Sequence, residues 1–256
     1  QPAEPRSSSL AFTRPPTRCI MASNGDDTIL SIIGLAFRAA YRLRRHFWLA
    51  WPLSRWLGLA LFLLALLAAR QWWPDLAPAA AILVLWLAFL AFLAVADRRH
   101  YVHFRPLRGG AGLPGQDPVP LLEKLEMIPT RASGWFGVEG QSRHYVDLDA
   151  DFETTGTREH IVLARVHPSR LLLVGTWPAH ELGWWYIFVR PAAIRRLALG
   201  TLHFGLRPRL AVRIDYTLKV EKKERVETVF MTFPDAAALR RAWEDLVRDA
   251  PPGAVT

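Results

Sequence analysis

The apolar positions of the chain change period three times. From Ile29 they recur every fourth residue, at Ile29, Ile33, Phe37 and Tyr41, while Arg38, Arg42 and Arg45 fall on another face. This spacing predicts a basic amphipathic helix over 28–46, with Asp26, Asp27 and Thr28 as its acidic, capping-type start. Such a helix either lies in the headgroup plane of a bilayer or packs on its own domain. The strongly apolar segments that follow favour the interfacial placement.

The next pattern is an unbroken apolar run. Leu76 to Ala96 is 21 residues without a charge. As a helix it would extend roughly 30 Å, the thickness of a hydrocarbon core. No polar stripe interrupts it, as one would in a helix on a soluble domain. A shorter run, WLGLALFLLALLAA between Arg55 and Arg70, extends to Trp73 if Arg70 reaches the headgroups with its long stem. We expect a transmembrane hairpin within 47–97, with spans near 56–73 and 76–96 and Trp72, Trp73 and Pro74 at the turn. Trp48, Trp51 and Trp56 mark the opposite boundary as an aromatic belt. Arg38, Arg42, Arg44 and Arg45 precede the hairpin, and Arg98, Arg99, Arg105 and Arg108 follow it, whereas its turn holds only Arg70 and Asp75. The positive-inside rule then puts both chain ends in the cytoplasm.

Residues 105–120, with four Gly and four Pro, read as the core of a flexible tether over 98–120. Beyond it, in a domain expected at 121–249, the period drops to two. Val146, Leu148, Ala150 and Phe152 alternate with Asp147, Asp149, Asp151 and Glu153, a half-buried strand with an acidic outer face. Further strands are expected at 161–166, 171–176, 184–189, 210–216 and 226–233. LKVEKKERVETV reads as a charged hairpin tip. After Pro234 and Asp235, the residues Leu239, Trp243, Leu246 and Val247 form one apolar helical face, which Pro251 and Pro252 stop before a tail at 250–256. The fold class is α+β.

This order of elements resembles the pleckstrin-homology-like (PH-like) superfamily, in its bacterial membrane-anchored and GRAM-like branches. The matching pieces are VHPSRLLLVGTW, WWYIFVRPAAIRRLALG, PRLAVRIDY and TVFMTFPDAAALRRAWEDLV. The resemblance implies a curved antiparallel barrel or sandwich capped by the final helix, with Trp243 against the barrel, and a domain that binds rather than catalyses. It implies a bacterial inner membrane. Phosphoinositide-binding members resemble one another in a basic first hairpin; here Arg143 and Arg158 stand among carboxylates, so that property does not carry over.

Charge changes the picture little. The net charge is +9, split as +5 over residues 1–96 and +4 over 97–256, without the basic stripe a nucleic-acid-binding domain carries. Nucleic acid is therefore set aside. One cysteine, Cys19, excludes an intrachain disulfide framework. Residues 1–27 are expected to be a disordered extension, with Met21 a plausible start.

Candidate chemistry is sparse. Asp147, Asp149 and Asp151 lack the Gly and Glu of a calcium loop, having Phe152 and Arg158 at those positions. The eight histidines include His100-x-x-His103 beside the membrane, but show no HExxH and no second ligand pair at zinc spacing. No catalytic, cofactor or metal residue is expected. Two features point instead to binding: Trp184 and Trp185, of which one must face outward on a strand, and the basic tip of Lys222, Lys223 and Arg225. The chain reads as a membrane-anchored cytoplasmic binding or scaffolding module whose partners are the bilayer and a protein. The alternative is an accessory subunit of a respiratory, photosynthetic or secretion complex.

Overall fold

The structure, a computed structural model, describes residues 25–49, 51–72, 75–107, 126–138, 141–155, 159–166, 183–220 and 223–256. The expected extension before residue 25 and the strand expected at 171–176 lie outside them.

Helix α1 (Gly25–Arg45) leads into a two-residue ladder, β1 (Phe47–Trp48) with β2 (Trp51–Pro52). Helices α2 (Leu53–Gln71) and α3 (Ala77–Arg98) follow and pack side by side. Both are long and apolar enough to cross a membrane. Only 22% and 11% of their most apolar windows is covered by protein, which is not how the core helix of a globular domain sits. Trp48, Trp51 and Trp56 cluster where the ladder meets α2, with ring centroids 5.2 and 5.4 Å apart about Trp56.

The rest is one antiparallel sheet and a closing helix. The strands are β3 (His103–Pro106), β4 (Met127–Val138), β5 (Gln141–Thr154), β6 (His160–Val166), β7 (Gly183–Val189), β8 (Ile194–His203), β9 (Arg209–Val220) and β10 (Lys223–Thr232). They lie in the order β3-β8-β9-β10-β4-β5-β6-β7. A further pairing, Gly137 with Tyr186, brings β7 back to β4, so this half of the sheet closes on itself. Helix α4 (Ala236–Asp249) starts at Asp235, whose carboxylate accepts from the Ala238 amide at 2.7 Å.

Two apolar clusters result. The first lies inside the sheet, where Phe136, Phe152, Trp185, Leu197, Ile214 and Met231 meet Leu239 and Leu246 of α4, all fully buried. Trp243, expected as the anchor of this helix, is only partly buried at the cluster's margin. The second cluster joins the sheet to the helices. It holds Phe37 and Ala40 of α1, Leu93 and Ala96 of α3, and Tyr101, Leu202, Phe204 and Phe230. Here α1 touches the sheet backbone to backbone: the Gly205 amide donates to the Gly34 carbonyl at 2.9 Å. A Cβ at Gly34 would stand 2.8 Å from the Gly205 oxygen, so only glycine permits this approach.

This cluster corrects two expectations. Ile33, Phe37 and Tyr41, the face expected to lie among headgroups, pack on the domain instead; the exposed apolar side chains of α1 are Ile29, Ile32 and Leu35. The front of the expected tether is ordered too. Tyr101 and Val102 are buried, and β3 pairs along the edge of β8 from His103↔His203 to Pro106↔Gly200. The remaining tether residues, 108–120, lie outside the described residues.

Candidate functional site

Strand β7 alternates strictly. Trp185, Ile187 and Val189 point inward, and the Trp185 ring meets Tyr145 edge-on at 5.1 Å. Trp184, Tyr186 and Phe188 point outward and are 59%, 37% and 44% exposed. The register extends this row across the outer face: Phe188 pairs with Ile161, Tyr186 with Leu163 and Trp184 with Arg165. One strand further, Glu153 and Asp151 follow Ile161 and Leu163, and Met127 and Pro129 lie beyond those. The outer face therefore grades from aromatic to aliphatic, and beyond that Glu153 is buried.

Of the basic tip, the structure describes only the Arg225 side chain. Lys222 and the side chain of Lys223 lie outside the described residues. Arg225 turns to Glu227 at 2.6 Å and covers the Trp135 ring at 4.9 Å from its centroid. Two of the three aspartates of the β5 row, Asp147 and Asp149, are partnered by arginines. Arg131 reaches Asp147 at 2.8 Å and Asp149 at 2.6 Å, and Arg209 reaches Asp147 at 2.7 Å. Asp147 takes φ 57°, a bend that sends Tyr145 into the first cluster while Val146 enters the second.

Of the six basic residues expected at a membrane surface, Arg42, Arg98 and Arg99 are exposed. Arg44 pairs with Asp97 at 3.1 Å. Arg38 and Arg45 face the domain: Arg38 stacks toward Phe204, and Arg45 lies 4.1 Å over the Tyr145 ring while donating to the His144 carbonyl at 2.9 Å. The His144 ring stacks on His100 at 4.7 Å. Burial, then the His100 and Arg45 charges, hold the His144 imidazole down at about 3, so it is neutral here.

A buried polar cluster fixes α4 to β5 and β6. His160 lies between two carboxylates, Nδ1 3.4 Å from Asp245 and Nε2 3.4 Å from Asp249. Arg248 closes the far side, 2.5 Å from Asp245 and 2.8 Å from Asp249, and the Thr154 hydroxyl donates to Asp245. The Phe152 ring stacks on His160 at 5.4 Å. Burial favours the neutral imidazole, against the pull of the two carboxylates. The three donors are close enough to share a metal ion, their ligand atoms all lying within 4.8 Å of one another. Arg248 offsets one of the two carboxylate charges from the far side. The arrangement suits a partly neutralised clamp holding the helix. Sequence reasoning passed over it, although Asp245 falls on the apolar stripe of α4 between Ala242 and Leu246.

Comparison with protein-family models, with curated proteins and with solved structures finds no match.

Proposed function

We propose that this chain is a membrane-anchored binding and scaffolding module: α2 and α3 cross the bilayer as a hairpin, and the sheet with α4 is a PH-like domain on the cytoplasmic side. Three features support the anchor. The two apolar helices leave most of their surface without protein cover. Their domain-side ends carry Arg55, Arg98 and Arg99 against Arg70 alone at the far end, and a tryptophan cluster stands at the domain side. Finally, Ile29, Ile32 and Leu35 of α1 offer lipid a second contact. The PH-like reading is supported by the seven strands among the described residues from β4 to β10, followed by a helix, with β10 returning to pair with β4, Met231 beside Ala132.

The observation that carries the binding role is the outward row Trp184, Tyr186 and Phe188, continued by Ile161 and Leu163. An apolar face of this kind on a domain held close to a bilayer fits a protein partner. Anchoring raises the effective concentration of that partner without new contacts. Photo-crosslinking from position 186 in intact membranes tests the role. One discrete adduct is expected, lost in Trp184→Ala/Phe188→Ser with an unchanged melting curve; diffuse adducts that survive the substitutions would refute it. Native mass after detergent extraction separates a free module, running as a monomer or small homo-oligomer, from a subunit of a larger assembly.

A further inference from the structure

A groove of about 590 Å³ opens between α2 and α3 on the side of α1. Its chemistry is graded along its length. The end nearest the sheet is lined by Arg44, Ser54 and Arg55, with Trp51 and Pro52 beside them. The walls running away from the sheet are Gly58, Phe62, Trp86, Leu90 and Leu93, wholly apolar. At about 1.5 Å per residue, Trp86 lies ~18 Å from the Arg98 end of its helix and Phe62 ~14 Å from the start of α2. Those lengths match an acyl chain entering from the headgroup level.

We infer that this groove is a binding site for one anionic phospholipid, its phosphate held by Arg44 and Arg55 and one acyl chain lying along Gly58, Phe62, Trp86 and Leu90. The inference rests on the membrane-spanning reading of α2 and α3. Arg55 makes no ion pair among the described residues. Arg44 spends one nitrogen on Asp97 and retains further donors. Helix α2 begins after Pro52 without a side-chain cap; the Leu53 amide donates to the His46 carbonyl, and the positive end of the helix favours an anion at the same end. Gly58 keeps the groove open: a Cβ there would meet only the Trp86 indole nitrogen, at 3.8 Å. A zwitterionic lipid could fill the apolar walls equally well, and the two arginines are what select charge.

The test uses the full chain, delipidated in mild detergent and titrated with phosphatidylglycerol or phosphatidylcholine of the same acyl length, with bound lipid counted by native mass spectrometry. One phosphatidylglycerol is expected to be retained in preference to phosphatidylcholine. Arg55→Gln, which breaks no described contact, should weaken that retention about fivefold, and Arg44→Gln/Arg55→Gln should abolish the preference. Gly58→Leu, which fills the groove, should expel either lipid. Glycerol phosphate should not compete; if it does, the site is one for a soluble phosphate and the inference falls. Equal retention of both lipids, or an unchanged Arg55→Gln, overturns it as well. Alkaline carbonate extraction reads the anchor separately. A chain released from membranes overturns the spanning reading and this inference together, whereas a chain that stays in the pellet and binds both lipids alike overturns the inference alone.

Discussion

The two apolar clusters are built from different kinds of sequence. The inner one draws on strand residues that alternate along each strand, with the phase reset in β5 at Asp147, closed by the Leu239–Leu246 face of α4. The outer one is assembled from pieces that are distant in the chain: the middle of α1, the last turn of α3, the stretch 101–104 and one patch of the sheet. The first makes a domain. The second fastens that domain to its helices, so the sheet is held against the hairpin directly at α1 and β3. A binding face on such a domain would have a restricted height and orientation over the bilayer, where a fully tethered domain would sample many.

Matched truncations test whether the clusters are separable. Phe152 is fully buried in the inner cluster and Phe37 is 5% exposed in the outer one. Removing a buried phenylalanine ring costs about 3–5 kcal/mol wherever the site cannot collapse. Phe152→Ala should therefore lower the thermal unfolding of the whole sheet. Phe37→Ala should leave that transition nearly in place while α1 and β3 lose amide-exchange protection together. Hydrogen exchange by mass spectrometry in micelles reads both. Identical loss from the two variants would make the clusters one cooperative unit and end the distinction.

A smaller change should act on the outer cluster alone. Alanine in place of a helical glycine ordinarily stabilises by about 1 kcal/mol. At Gly34 the sign reverses, because the new methyl would press on the Gly205 carbonyl at 2.8 Å and the Gly205 amide already bonds to the Gly34 oxygen. Gly34→Ala is expected to cost about 1–3 kcal/mol in docking α1, the range for overpacking. Protease susceptibility of α1 measures it. A variant more resistant than the parent would show that the helix does not seat on the sheet backbone.

The same division explains what the sequence made legible. The two apolar helices, α4 with its Asp235 start, and the alternation in β6 and β7 were all readable, because in each the period of one segment reports its own burial. That one of Trp184 and Trp185 faces outward follows from a period of two; which one does not. The docking of α1 was not readable, since Ile33, Phe37 and Tyr41 suit a lipid surface and a protein surface equally. Nor was β3: Phe104 and the flanking His103 and Arg105 carry little strand pattern, and their pairing is dictated by the free edge of β8, some hundred residues away. The His160–Asp245–Asp249 clamp needed the third dimension for a like reason. Its carboxylates sit one helical turn apart on α4, and only the register of β5 and β6 brings His160 and Thr154 beneath them.

The mildest expected effect is on acidity, and it again belongs to the outer junction. His144 has a folded-state pKa of about 3, against 6.5 for a free histidine, and its stacked neighbour His100 is lowered as well. His144 is neutral in the folded protein, and burial works in the same direction on His100. As pH falls below 6.5 the unfolded histidines take up protons that the folded ones refuse, so stability drops with acid, and for His144 the drop continues until about pH 3. Each such histidine contributes at most about 1.4 kcal/mol per pH unit. Between pH 6.5 and 5.5 the loss should therefore be about 1 kcal/mol. His144→Gln should flatten this dependence while keeping the carbonyl that accepts from Arg45, because that contact is to the backbone. The inner cluster's His160 is depressed too, so the residual slope in His144→Gln gauges what the remaining histidines supply. A slope of unchanged steepness in that variant would move the acid response away from the junction and onto the clamp beneath α4.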